Sequence, residues 1–136
     1  MALASNQAQV NFTNVKGVII TATSNALYTQ TLQIQTNDEY NDAYTMTGSG
    51  EGVAMKNGNN PAVTVTPALK NVKSGDLSFT LTFTNSEGAS TAGKPVQQPT
   101  IGNGNVIQWT VGSEDANDGD FNDCVVSLVG ITLDNG

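Results

Sequence analysis

An all-β sandwich follows from three features of this chain. A hydrophobic period of two recurs from end to end, the composition favours Thr, Val, Asn and Gly, and no stretch of about ten residues has helical periodicity. The predicted architecture is a single antiparallel β-sandwich domain over residues 1–136, with about eight or nine strands.

Val10 and Phe12 mark the first strand, and Gly17–Thr23 the second, with a break expected at Ser24 and Asn25. Tyr28–Thr36 alternates cleanly, Leu32 and Ile34 pointing one way and Gln33 and Gln35 the other. The polar run Asn37–Asp42 predicts a turn into a strand at Tyr44–Thr47, and the glycines from Gly48 to Gly52 predict another break before a short strand at Val53–Met55. Val63 and Val65 alternate with Thr64 and Thr66 until Pro67 ends that strand. Leu77, Phe79, Leu81 and Phe83 interleave with Ser78, Thr80, Thr82 and Thr84, one core wall and one wet face. Asn85–Pro99 reads as the longest loop, and two late strands follow, Val106–Val111 and Cys124–Leu133. Trp109 shares a face with Ile107 and Val111, which predicts a core position.

Net charge is −7, with five Lys and no Arg. No basic face exists to bind nucleic acid or an anionic lipid surface. No run approaches the roughly 20 apolar residues that span a bilayer, so membrane insertion is not expected. Met1–Ser5 lacks a basic region with an apolar core behind it, so no signal peptide is expected. The expectation is a soluble protein, made in the cytoplasm and reaching the cell surface or medium only by a non-classical route. The single Cys124 excludes an intrachain disulfide, and its neighbours Val125 and Val126 predict a buried structural thiol.

Function is expected between Glu114 and Asp123, where Glu114, Asp115, Asp118, Asp120 and Asp123 place five acids in ten residues beside Asn117 and Asn122. No Lys or Arg occurs from Pro95 to Gly136 to offset them, so a cation is the natural partner. The donors are oxygens, with no His in the chain, which favours Ca2+ over zinc or copper. An EF-hand register fails: with Asp118, Asp120 and Asn122 aligned, Asp123 falls where Gly is needed and Val129 where Glu is needed. The plain alternative is an acidic turn whose Asp, Asn and Gly only make bends.

Enzyme chemistry finds little support. Without His, a Ser-His-Asp or Cys-His nucleophile is excluded in its usual form. No Gly-rich phosphate loop opens a helix. Glu51 or Glu87 could pair with the acidic loop as glycosidase carboxylates, but nothing in the sequence brings them there.

The run from Val111 to Val126 resembles the motif of the bacterial calcium-mediated fucose- and mannose-binding lectins, the fucose-binding lectin II family. A shorter match accompanies it, Asn25 before Ala26-Leu27-Tyr28 and then Thr29-Gln30-Thr31. The resemblance implies a non-catalytic lectin with two adjacent Ca2+ ions that directly coordinate hydroxyls of a fucose- or mannose-type mono- or oligosaccharide. It implies that Glu114, Asp118, Asp120 and Asp123 bind one ion, and that Asn25, Asp120, Asn122 and Asp123 bind the other. It further implies that Ala26, Leu27, Tyr28, Asp115 and Asn117 meet the sugar. A Gly136 carboxylate would complete a partner's site in a homodimer or tetramer. Four carboxylates would balance two divalent ions, so the implied scheme is electrostatically coherent. The loop departs from the family's small, hydroxylated pattern in carrying Ala26-Leu27-Tyr28, and Asn117 replaces a residue that is often small and hydroxylated. The competing reading is a sandwich adhesion or interaction protein whose calcium is purely structural.

Overall fold

The computed structural model describes residues 2–37, 42–66, 76–99, 104–115 and 122–132. Among these, ten strands run in chain order: β1 (Gln7–Phe12), β2 (Val15–Thr36), β3 (Ala43–Ala54), β4 (Val63–Val65), β5 (Leu77–Asn85), β6 (Gly88–Ala89), β7 (Thr91–Ala92), β8 (Val96–Gln97), β9 (Val106–Glu114) and β10 (Cys124–Thr132). Every pairing between them is antiparallel, with the order β1-β5-β2-β10-β9-β7. The all-β sandwich expectation holds.

The organising element is β2, whose 22 residues exceed by far what one twisted layer accommodates. Its first half pairs with β10 and, on the opposite edge, with β4; its second half pairs with β5. β3 follows it on both sides of the bend. β2 and β3 thus pair on both sides of the bend, interrupted only at residues 27–29, and the two layers are one sheet folded over there. Strands that pass between layers turn the corner through irregular pairing. Here the β2–β3 register shifts between Ser24 and Asn25 and again between Ala26 and Gln30.

Two expectations are corrected at this corner. Ser24 and Asn25 do not end a strand, and Gly48–Gly52 does not separate two strands; both lie inside longer ones. The polar and Gly-rich residues that resemble breaks are those that let two paired strands bend together. The expected Asn85–Pro99 loop also contains β6, β7 and β8, each two residues long and therefore too short to carry a period. Leu133 lies outside the described residues, and β10 is described to Thr132.

Alternation fills the space between the layers. Leu77, Phe79, Leu81 and Phe83 of β5 are buried with Val18, Ile20, Leu32 and Ile34 of β2 and Val126 and Leu128 of β10. Ile107 and Trp109 pack against this core, and Val111 lies within it. Cys124 is buried, its Sγ 3.4 Å from Met55 Sδ, and burial first of all pushes its thiol up to about 12. It is a structural thiol. Phe12 meets Phe79 edge to face at 6.0 Å, an arrangement worth about 0.5–1.5 kcal/mol beyond its area.

Gly130 makes room for that pair. A Cβ there would lie 2.6 Å from Phe12 Cδ1 and 3.3 Å from Val15 Cγ1. Gly130→Val is expected to lower unfolding free energy by about 1–3 kcal/mol through overpacking. Urea denaturation measures it, and a variant as stable as the parent would mean that Phe12 moves aside freely.

Candidate functional site

The site begins where the β9–β10 ladder ends. Ser113 and Cys124 are its last pair, and the Asp123 amide donates to the Ser113 carbonyl at 3.0 Å, closing the stem of the acidic loop. Glu114 is the last residue of β9, opposite Thr91 of β7, and is only 4% exposed. The Asp115 amide donates to Asp123 Oδ2 at 2.9 Å. The carboxylates of Glu114, Asp115 and Asp123 lie within 4.8 Å of one another.

The β2 bend docks onto this stem. The Asn25 amide donates to the Asp123 carbonyl at 2.9 Å, and Asn25 Nδ2 donates to the Asn122 carbonyl at 2.9 Å. Asn25 Oδ1 accepts the Gly52 amide at 2.9 Å, so one side chain joins three segments. Gln30 makes the second link. Its Nε2 donates to Asp115 Oδ2 at 2.9 Å and to the Tyr28 carbonyl at 3.0 Å, bracketing the residues that leave the ladder at the bend. Gln30 is buried, and its Oε1 has no hydrogen-bond partner among the described residues.

These links border an open cavity of about 450 Å³ lined by Asn25, Ala26, Leu27, Tyr28, Glu51, Asp115, Asn122 and Asp123. Leu27 is 93% exposed and Tyr28 44%, an apolar rim above a polar floor. No lining residue is cationic. The Asp115 carboxyl is raised above its usual range, first by burial and then by hydrogen bonding and charge from Asp123, against the lowering bond from Gln30. Like charges held together, without a lining cation, prefer either a proton or a bound metal. The donors are all oxygens, so the group fits a hard cation.

Of the expected site residues, Asn25, Ala26, Leu27, Tyr28, Asp115, Asn122 and Asp123 meet around the cavity, and Glu114 joins through the carboxylate cluster. Asn117, Asp118, Asp120 and Gly136 lie outside the described residues. Two further residues belong to the site. Gln30 has a side chain on Asp115, which its place in an alternating strand does not reveal. Glu51 lines the cavity opposite Asn25 in the β2–β3 register; its only sequence signal is a carboxylate between two glycines.

A model of the family Fucose-binding lectin II (PA-IIL) matches residues 10–132. The fold is shared with the C-terminal domain of the BC2L-C lectin from Burkholderia cenocepacia, at TM-score 0.63 and 22% identity, covering 89% of this chain and 92% of that one. A high-affinity mannose-binding lectin from Ralstonia solanacearum also matches at TM-score 0.63, with 23% identity over 89% of this chain and 93% of that one. The Chromobacterium violaceum lectin CV2L, solved in complex with alpha-methyl-fucoside, matches at TM-score 0.60, with 23% identity over 88% and 93%. A search of curated protein sequences returned no match.

Asp115→Asn keeps an acceptor for Gln30 while removing one charge. Because the folded pKa is raised, the native state binds more protons than the unfolded state between that raised value and the ordinary 3.8. Asp115 therefore destabilises the metal-free protein above its folded pKa, and the penalty fades as pH falls through this window. The variant is expected to melt about 1–2 °C above the parent at neutral pH without metal, with the gap closing towards pH 4; the effect is small because the group is part-exposed. Thermal melts across pH check this, and a variant no more stable than the parent at any pH would mean that there is no repulsion to relieve.

Proposed function

Because the chain belongs to the fucose-binding lectin II family, we propose that it is a non-catalytic, Ca2+-dependent lectin that holds a fucose- or mannose-type sugar in the cavity between the β2 bend and the acidic loop. The observation that carries this reading is the carboxylate cluster of Glu114, Asp115 and Asp123 set against that cavity, which Asp115 and Asp123 themselves line. Asn25, Glu114, Asn122 and Asp123 would hold the metal, with Asp118 and Asp120 supplying the further carboxylates needed for two adjacent ions. Bound Ca2+ supplies coordination positions at which sugar hydroxyls replace water, oxygen for oxygen.

The chain's own residues then divide the remaining work. Gln30 engages Asp115 Oδ2 and so fixes the carboxyl group, whose lone pairs accept a sugar hydroxyl. Tyr28 and Leu27 offer apolar surface to the C–H face of a pyranose ring, the usual complement to a polar sugar edge. Asn25 holds the rim and the floor in one geometry, so little ordering remains when a sugar enters. Assembly into a homodimer or tetramer would add avidity for glycan surfaces without any new contact.

Calorimetric titration of methyl α-fucoside and methyl α-mannoside, with Ca2+ and then with chelator, is the direct test. Binding is expected only with Ca2+. Metal-dependent stability without any sugar binding would favour structural calcium instead. Ca2+ at about a hundred times its Kd should raise unfolding free energy by about 2.7 kcal/mol for each site. Asp123→Asn is expected to weaken Ca2+ roughly a hundredfold and to abolish sugar binding at micromolar Ca2+; unchanged metal affinity would remove Asp123 from the ligand set.

A further inference from the structure

The wall of the cavity facing Asn25 carries a carboxylate that the metal-binding scheme does not use. Glu51 pairs with Asn25 in the β2–β3 ladder, between the two register shifts at the bend. Its neighbours Gly50 and Gly52 have φ of 101° and 63°, a backbone region that favours glycine. Hydrogen bonds clamp this segment on both sides. The hydroxyl of Ser24, which is fully buried, donates to the Gly50 carbonyl at 3.1 Å, and the Gly52 amide donates to Asn25 Oδ1 at 2.9 Å. A buried hydroxyl, two left-handed glycines and the amide of Asn25 together hold one exposed acidic residue on the rim of the site. Its carboxylate stands outside the cluster formed by Glu114, Asp115 and Asp123.

We infer that Glu51 is a specificity-determining residue that favours ligands presenting a hydrogen-bond donor to this wall and selects against sugars bearing a carboxylate. The inference rests on the lectin reading and deepens it. A carboxylate accepts hydrogen bonds and donates none, so a hydroxyl on the sugar finds a partner there while an anionic substituent meets a like charge. The lining residues Ala26, Leu27 and Tyr28 are uncharged, so Glu51 adds a negative charge to the cavity beside that of Asp115, outside the proposed metal ligands.

The test compares methyl α-mannoside with its uronic acid analogue, which keeps the ring hydroxyls and exchanges the hydroxymethyl group for a carboxylate. Affinities are measured by calorimetry in low salt with saturating Ca2+, for the parent, Glu51→Gln and a net-charge control, Glu87→Gln. Ca2+ alone is titrated into each protein. Glu51→Gln is expected to narrow the preference for the neutral sugar by about threefold, which is what one charge roughly 7 Å away gives in a water-like dielectric. Glu87→Gln should leave the preference unchanged, and all three proteins should bind the same number of Ca2+ ions. A parent that binds sugar with a preference unaltered by Glu51→Gln overturns the role of Glu51 and leaves the lectin reading standing. Loss of a bound ion in Glu51→Gln makes Glu51 a metal ligand and overturns the assignment in another way. A parent that binds neither sugar in Ca2+ removes the lectin reading and this inference together.

Discussion

A strand of 22 residues cannot stay within one twisted layer, and the bend that β2 makes near Ala26 determines most of what surrounds it. The bend lets both halves of β2 face a common core, Val18 and Ile20 on one side and Leu32 and Ile34 on the other. It also expels Leu27 and Tyr28 from the ladder, where they become the rim of a cavity. Core and binding surface therefore share one backbone irregularity. A change that straightened the bend would disturb both at once.

The second constraint is electrostatic. Glu114, Asp115 and Asp123 are held together by backbone geometry, through the Ser113–Cys124 end of a ladder and the Asp115 amide on Asp123, rather than by attraction among themselves. The repulsion is concentrated beside a cavity lined by no cation. A carboxylate cluster positioned at the end of a paired ladder is suited to taking up metal, because the protein contributes the ordering cost in advance. Asn25 and Gln30 extend this rigidity to the rim. They bond the bend to the loop at three points, the Asp123 carbonyl, the Asn122 carbonyl and the Asp115 carboxylate.

Legibility in the sequence followed signal length. The alternation of Leu77 to Thr84 and of Tyr28 to Thr36 spans enough residues to fix strand type; the buried faces are the expected ones in the first and, in the second, from Gln30 onward, since Tyr28 and Thr29 are both exposed at the bend. β6, β7 and β8 leave no mark in the sequence because two residues have no period. The glycines of β3 carry the local signature of a strand break, because local propensity cannot distinguish a chain that leaves the sheet from one that bends while remaining paired. At the site, Asn25, Asp115, Asn122 and Asp123 could be named from the acidic run and the family motif. Gln30 could not, since its role comes from a neighbour 85 residues away; Glu51 could be named only as one of two carboxylates able to face the acidic loop, and a strand register singles it out from Glu87.

What the sequence determined by itself is the inventory and its local chemistry: an all-β chain without His or Arg, and an oxygen-rich acidic run placed between two strands. Those are properties of residue type and short spacing, and they need no knowledge of where distant segments meet. Only the tertiary structure decided that Asn25, Glu51 and Asp115, far apart in the chain, border a single cavity. The reason is that strand register is set by which faces can be buried together across the whole sheet, a condition that no single stretch of this chain contains.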